Sequence, residues 1–174
     1  MARNDGRRLI ANLAEHAALR AEIEAFLYEE AELLDSWQLT EWAALFTEDA
    51  IYQAPALDDP TRDPGNSIFL INDDLPRIQS RARQLLGDTA WAENPRSMTR
   101  RLITNVRVIA VDGTMIRATA NFFIQRSRME RIVTYVGQYR YKLVRDGASF
   151  KFAERIVILA QDTLRSQGVM SIIV

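Results

Sequence analysis

The stretch IRATANFFIQ, residues 116–125, decides the fold. Ile116, Ala118, Ala120, Phe122 and Ile124 alternate with Arg117, Thr119, Asn121 and Gln125, and Phe123 alone puts an apolar side chain on the outer side. A period of two is that of a strand with one covered face. The run VTYVGQYRYKL, residues 133–143, repeats it: Val133, Tyr135, Gly137, Tyr139, Tyr141 and Leu143 point one way, Thr134, Gln138, Arg140 and Lys142 the other. Working outward, Leu102–Val111 precedes these two and Phe150–Leu159 follows them. Asp112-Gly113 and Asp146-Gly147 supply the positive φ angles of tight hairpin turns. The C-terminal half therefore reads as an antiparallel meander of four long strands.

Further toward the N-terminus the period lengthens to that of a helix. Ile23, Phe26, Leu27, Ala31 and Leu34 fall at i, i+3, i+4, i+8 and i+11, with Glu22, Glu24, Glu29 and Glu32 on other faces, which predicts an amphipathic helix over about 19–36. Leu9, Ile10, Leu13 and Ala17 continue the stripe over residues 7–17, as an earlier helix or an extension of this one. A short helix over Leu39–Phe46 follows, capped near Thr40, then a strand at Ala50–Ala54. Pro55, Pro60, Pro64 and Gly65 mark a turn-rich segment. Around Asn72-Asp73-Asp74, N-cap side chains and Pro76 open a third helix whose stripe is Leu75, Ile78, Ala82, Leu85 and Leu86, with Gly87 as its stop.

Helices first and strands afterwards is the α+β pattern, a sheet with one face covered by the N-terminal helices. The element order resembles that of nuclear transport factor 2-like (cystatin-like) domains, in which a strongly curved antiparallel sheet wraps a long helix into a cone. At 174 residues the chain has material for one domain, residues 1–174, with 1–18 as an N-terminal extension or helix; that length buries roughly 70% of the unfolded surface.

Composition excludes much chemistry. With no cysteine and His16 as the single histidine, the chain cannot by itself build a zinc site, an iron–sulfur cluster, a haem attachment or a thiol nucleophile. The 22 basic and 23 acidic residues form no block suited to nucleic acid. All basic residues but Lys142 and Lys151 are arginine, which reflects either genomic base composition or a use for planar, bidentate cations at packed interfaces. No run approaches the ~20 apolar residues of a membrane span, and residues 1–19 lack an export signal's apolar core. The expectation is a soluble intracellular protein.

A cone lined by acidic and phenolic groups would suit a small-molecule enzyme, with Asp35, Asp49, Tyr52, His16 and Tyr28 as candidates; a buried carboxylate there serves as general acid or base. The commoner role of short acidic residues makes Asp35 and Asp49 caps of helix or strand ends, and a lone histidine such as His16 is more often a surface or packing residue. Tyr135, Tyr139 and Tyr141 with Phe122 and Phe123 suit either a flat ligand or the core face of the sheet. Two features point outward. Trp91-Ala-Glu93-Asn-Pro95-Arg-Ser-Met-Thr-Arg100-Arg101 places aromatic and arginine anchors between helix and strand. Gly168–Val174 is apolar to its last residue, so it joins the sheet or docks on a partner.

The run FLYEEAELLD at 26–35, with Trp42, FTED at 46–49, Tyr52 and Pro55, resembles the opening of the small (beta) subunit of aromatic-ring-hydroxylating dioxygenases. Asp73-Asp74-Leu75, Arg81, Arg83, Leu85, Trp91-Ala92-Glu93, Pro95, Thr99-Arg100-Arg101 and Asn105-Val106 continue the likeness. Arg126-Ser127-Arg128, Gly137, Arg140, Leu143 and Arg155–Leu159 complete it over about residues 20–174. Gln138 after Gly137, Met98 in place of an arginine, and an ending without phenylalanines depart from the family pattern.

The resemblance implies a non-catalytic beta subunit with no catalytic, cofactor-binding or metal-binding residue of its own, in the bacterial cytoplasm. It implies a large alpha partner carrying a Rieske [2Fe-2S] cluster and mononuclear Fe(II), in a complex of three alpha and three beta chains. Electrons come from NAD(P)H through a reductase and often a ferredoxin, and an aromatic compound is cis-dihydroxylated in a catabolic pathway. Trp91, Glu93, Arg100 and Arg101 are then the candidates for subunit contacts or for defining the subunit's shape. The rival is a free-standing cone-shaped isomerase, dehydratase or cyclase with an Asp/Tyr acid–base pair; a homo-oligomeric binding module is a third reading.

Overall fold

A computed structural model of the chain describes residues 2–56, 69–87, 93–160 and 171–174, with side chains from Leu13 onward. Helix α1 spans Ala2–Asp35, so the two apolar stripes belong to one helix. Ile23, Phe26, Leu27, Ala31 and Leu34 are buried, as their spacing requires, and Glu30 is buried with them. The helix ends where Trp37 takes a left-handed φ of 61°; the amide of Gln38 then reaches back to the Leu33 carbonyl at 2.8 Å, satisfying one of the last orphan acceptors.

Helix α2 is shorter than its sequence suggests, Leu39–Ala43, and its N-cap Gln38 makes no side-chain cap, so Thr40 does not serve as one. The chain turns at Ala44 and Leu45, whose carbonyl accepts from the Phe152 amide at 2.8 Å, and Phe46 is drawn into the sheet instead of the helix. Strand β1 is accordingly Phe46–Pro55. A second correction is strand β2, Phe69–Asp74, which pairs antiparallel with β1 and gives the sheet a sixth strand. Helix α3, Leu75–Leu86, starts as expected: the Asp74 side chain accepts from the Arg77 amide at 3.1 Å, and Pro76 lies in the first turn. Gly87 ends it in an extended conformation (φ −78°), not the left-handed one.

The four long strands are β3 Met98–Asp112, β4 Met115–Arg128, β5 Arg131–Asp146 and β6 Ser149–Leu159. Gly113 and Gly147 take φ of 62° and 60° in their hairpin turns. The sheet order is β2-β1-β6-β5-β4-β3, with β1 and β6 parallel and every other pair antiparallel. Asn105, at φ 53°, sits where the β3–β4 register shifts, a bulge that bends the strand and helps the sheet curve around α1. Helix α1 packs on β3 and β6, and α3 packs on α2 and β1.

The core between helices and sheet is aromatic. Phe26, Phe46, Trp42, Tyr52, Tyr141 and Phe152 contact one another with ring centroids 4.9–6.5 Å apart, and Phe122 stacks on Tyr139 at 4.2 Å. Tyr135, Tyr139 and Tyr141 thus form the core face. Among the described residues no helix is long and apolar enough to cross a membrane.

Candidate functional site

Among the described residues, three arginine–carboxylate pairs line the interior. On α1, Glu30 occupies the i+7 position of the buried stripe, and its Oε1 accepts from Arg155 Nε of β6 at 2.7 Å and from Trp42 Nε1 at 3.1 Å. Arg155 faces inward because β6 carries an extra, bulged residue, Ala153, opposite the Lys142–Leu143 step of β5, so both Phe152 and Arg155 reach the core. Its guanidinium lies over the rings of Tyr139 and Tyr52, at 4.5 and 5.1 Å from their centroids. Burial alone would lower the affinity of Arg155 for its proton, but Glu30 opposes this and the pKa is raised. Arg155 therefore keeps its charge in the interior.

At the end of α1, Asp35 accepts from Thr99 Oγ1 at 2.8 Å, from the Arg101 amide at 2.9 Å and from the Arg101 guanidinium. Thr99 and Arg101 are alternate residues of β3 and point inward by the period of the strand. The third pair is Glu93, whose Oε1 accepts from Arg126 Nη2 at 2.7 Å and whose Oε2 accepts from the Ser97 amide at 3.1 Å. Burial pushes the Glu93 carboxyl up, yet hydrogen bonds from Ser171, Ser97 and Arg126 outweigh it and hold it below its ordinary value.

Residues 171–174 run across all three pairs. Ser171 Oγ donates to Glu93, the Ile173 carbonyl accepts from Arg101 Nη2, and the Val174 main-chain oxygen accepts from Arg155 Nη1 and from Tyr52 Oη, the last at 2.8 Å. Ile172, Ile173 and Val174 are all buried. This corrects the expectation for the apolar ending: its last residues neither extend the sheet nor lie outside, but fill the cone. A pocket beside Ile172 and Ile173, walled by Leu34, Trp37, Leu39, Leu85, Thr99 and Arg101, measures about 10 Å³, room for at most one water.

The candidates for acid–base work are placed accordingly. Asp35 is spent on Thr99 and Arg101, and Tyr52 on Val174, while burial raises the Tyr52 pKa against the opposing effect of Arg155. Asp49 accepts from Thr47 at 2.8 Å on the surface, and His16 and Tyr28 are exposed on α1. The structure brings together none of these as an acid–base pair. Of the four contact candidates, Glu93 and Arg101 are buried within the chain, Arg100 is exposed with Nη1 on the Thr99 carbonyl at 3.0 Å, and Trp91 lies outside the described residues. Among the described residues no three His, Cys, Asp or Glu side chains gather as a metal site.

Sequence reasoning missed Glu30 and Arg155. The first was legible as a carboxylate inside an apolar helical stripe; the second was not, because the bulge changes the parity of β6.

The outer face of the sheet carries an apolar row, Leu102, Phe123 and Val136, paired across β3, β4 and β5 and 59%, 40% and 37% exposed. Arg100 flanks it on β3, and Arg107, Arg117, Arg140 and Lys142 lie exposed further along the same three strands.

The family model described as "Ring hydroxylating beta subunit" matches residues 29–166. The small oxygenase component of the p-cumate 2,3-dioxygenase system of Pseudomonas putida is 41% identical over 155 residues, covering 88% of this chain and 86% of that protein. The benzene 1,2-dioxygenase subunit beta of Pseudomonas putida is 31% identical over 157 residues, with 84% of each chain covered. Among solved structures, naphthalene 1,2-dioxygenase with indole bound superposes with a TM-score of 0.78 at 20% identity, over 91% of this chain and 86% of that one, a likeness of fold.

Proposed function

The chain belongs to the family of ring-hydroxylating dioxygenase beta subunits, and from that premise we propose that it does no chemistry itself but shapes and holds the catalytic partner. It is one domain over residues 1–174, built as a nuclear transport factor 2-like cone and acting in the bacterial cytoplasm. Its partner is the alpha subunit, three of each chain forming the complex. The alpha subunit holds a Rieske [2Fe-2S] cluster and mononuclear Fe(II), takes electrons from NAD(P)H through a reductase and a ferredoxin, and cis-dihydroxylates an aromatic compound for catabolism. The donor set of this chain fits neither iron group, since it has one histidine and no cysteine.

The observation that carries this reading is the filled cone. Where a cone-shaped enzyme keeps an open pocket, this chain places Ile172–Val174 and the Glu30–Arg155 pair. The candidate acid–base pair of Asp35 and Tyr52 is not free for such a mechanism, because both are hydrogen-bonded within the fold. Glu93 and Arg101 serve to define the shape by fixing the 93–101 segment and residues 171–173. Arg100 serves, with the apolar row of the outer sheet face and with Trp91, in contact with neighbouring subunits.

Co-purification tests this reading. A tagged chain expressed with the adjacent large-subunit reading frame yields a brown, iron-containing complex active only when both chains are present. Within that complex, Asp35→Asn leaves turnover per iron unchanged. A colourless homo-oligomer with full activity alone, or a selective loss of turnover in an intact Asp35→Asn complex, overturns it.

A further inference from the structure

Residues 171–174 sit in the cone as a ligand sits in a receptor. The donors that hold them are fixed by groups outside the segment: Arg155 by Glu30, Arg101 by Asp35 and Thr99. Such donors keep their aim when the segment is absent, which is the preorganisation a binding site needs. Three of the four contacts go to main-chain oxygens and none depends on an Ile or Val side chain for its hydrogen bond. Arg155, which donates to Val174, lies over the rings of Tyr52 and Tyr139. Tyr139 and Tyr141 are also buried here with hydroxyls that have no partner among the described residues, unmet hydrogen-bonding capacity that native cores rarely leave.

We propose that the interior of the cone is a binding site for an apolar body bearing an oxygen acceptor, with Arg155 and Tyr52 as its oxygen-binding pair and residues 172–174 as its built-in occupant. When that segment is out, the site takes the same chemistry from either of two sources, the main chain of an apolar peptide or a free hydrophobic carboxylate. The apolar body fills the space of Ile172 and Ile173, and the oxygen accepts from the Arg155 guanidinium and the Tyr52 hydroxyl. The site goes beyond the subunit role, which requires no ligand in this chain.

The test uses the alpha–beta complex with the full chain and with a chain lacking residues 172–174. The probes are benzoate and a peptide of residues 168–174, followed by calorimetry and by the fluorescence of Trp42, whose Nε1 shares Glu30 with Arg155. The shortened chain is expected to bind one equivalent of either probe, and the full chain at least tenfold more weakly because its own segment competes. Tyr52→Phe in the shortened chain weakens binding about fivefold, the loss of one hydrogen bond. Binding of the peptide but not benzoate upholds the site and names the peptide as its source. A folded shortened chain that binds neither, or a full chain that binds benzoate equally well, overturns the proposal. If the shortened chain is unfolded alone, recovery of its sheet signal on adding either probe supports the site, and no recovery from either overturns it.

Discussion

Glu30 on α1 and Arg155 on β6 meet at 2.7 Å inside the cone, with 2% and 1% of their side chains exposed, and the Trp42 indole gives the carboxylate a second donor. Removing one member leaves the other charged and dry, which costs about 3–5 kcal/mol. Glu30→Ala should lose that much in urea unfolding, a large share of a domain's typical 5–15 kcal/mol or so. The double change Glu30→Leu with Arg155→Met should lose much less than the two single changes added together. A Glu30→Ala protein within about 1 kcal/mol of the parent would show that the pair is not isolated from water.

Acid should loosen the chain at Glu93. Its carboxyl is held below the ordinary value of 4.5, with burial opposed by hydrogen bonds from Ser171, Ser97 and Arg126. A group with a depressed folded pKa stabilises the fold above its unfolded pKa, and that stabilisation is lost as pH falls through the folded value. Thermal unfolding of the parent should therefore weaken below about pH 4.5. Glu93→Gln should be less stable at neutral pH and show a shallower acid limb. Parallel pH profiles for the two proteins would refute the assignment.

Alkali acts through the core phenols. Burial pushes Tyr139 up to about 12 against the pull of Arg155, and Tyr141 is raised well above 10.0. A raised folded pKa means a contribution intact below pH 10.0 and lost as pH climbs through about 12. Their phenolate absorbance should rise only together with loss of the fold. Because neither hydroxyl has a partner among the described residues, Tyr141→Phe should be neutral or stabilising at pH 7. A loss above about 1 kcal/mol would reveal a hydrogen bond to a bound water.

How much of this was legible depends on whether a local period or a distant partner decides each element. Arg101 and Thr99 point inward by the alternation of β3, and Ile23 to Leu34 face the core by helical spacing, so both could be read from the chain. Strand β2 has only six residues, three of them Asn72, Asp73 and Asp74, and exists because β1 offers an edge to pair with. The inward turn of Arg155 follows from an extra residue of β6 after Phe152, and because Ile156 and Ile158 are apolar as well as Val157 and Leu159, the sequence does not show which parity faces the core. The apolar ending was visible, but its address was not: the receptor for residues 171–174 is assembled from α1, β1, β3 and β6, far apart in sequence.

Gly137 is required by a neighbouring strand. A Cβ there would lie 2.1 Å from the Ile158 carbonyl oxygen and 2.7 Å from the Phe122 ring. The ring has some freedom, the backbone of β6 almost none, so Gly137→Ala should cost about 3 kcal/mol, the upper end for overpacking. Denaturant unfolding checks this, and a cost below about 1 kcal/mol would mean that β5 and β6 separate easily at this point.

The outer face of the sheet should behave in the opposite way. Phe123 projects from the middle of β4 between Leu102 and Val136, on the side away from α1, and none of the three is needed to close the core. An exposed position on one face of a sheet tolerates a polar residue at about 1 kcal/mol or less, so Phe123→Asp should fold with nearly parental stability. A carboxylate in a buried, apolar subunit contact is another matter, because it must be desolvated without a partner. The expected result is a folded chain that no longer recovers the large subunit in co-purification, with Phe123→Leu retaining it. If Phe123→Asp assembles as well as the parent, neighbouring subunits do not use this row, and the contact passes to the arginines around it.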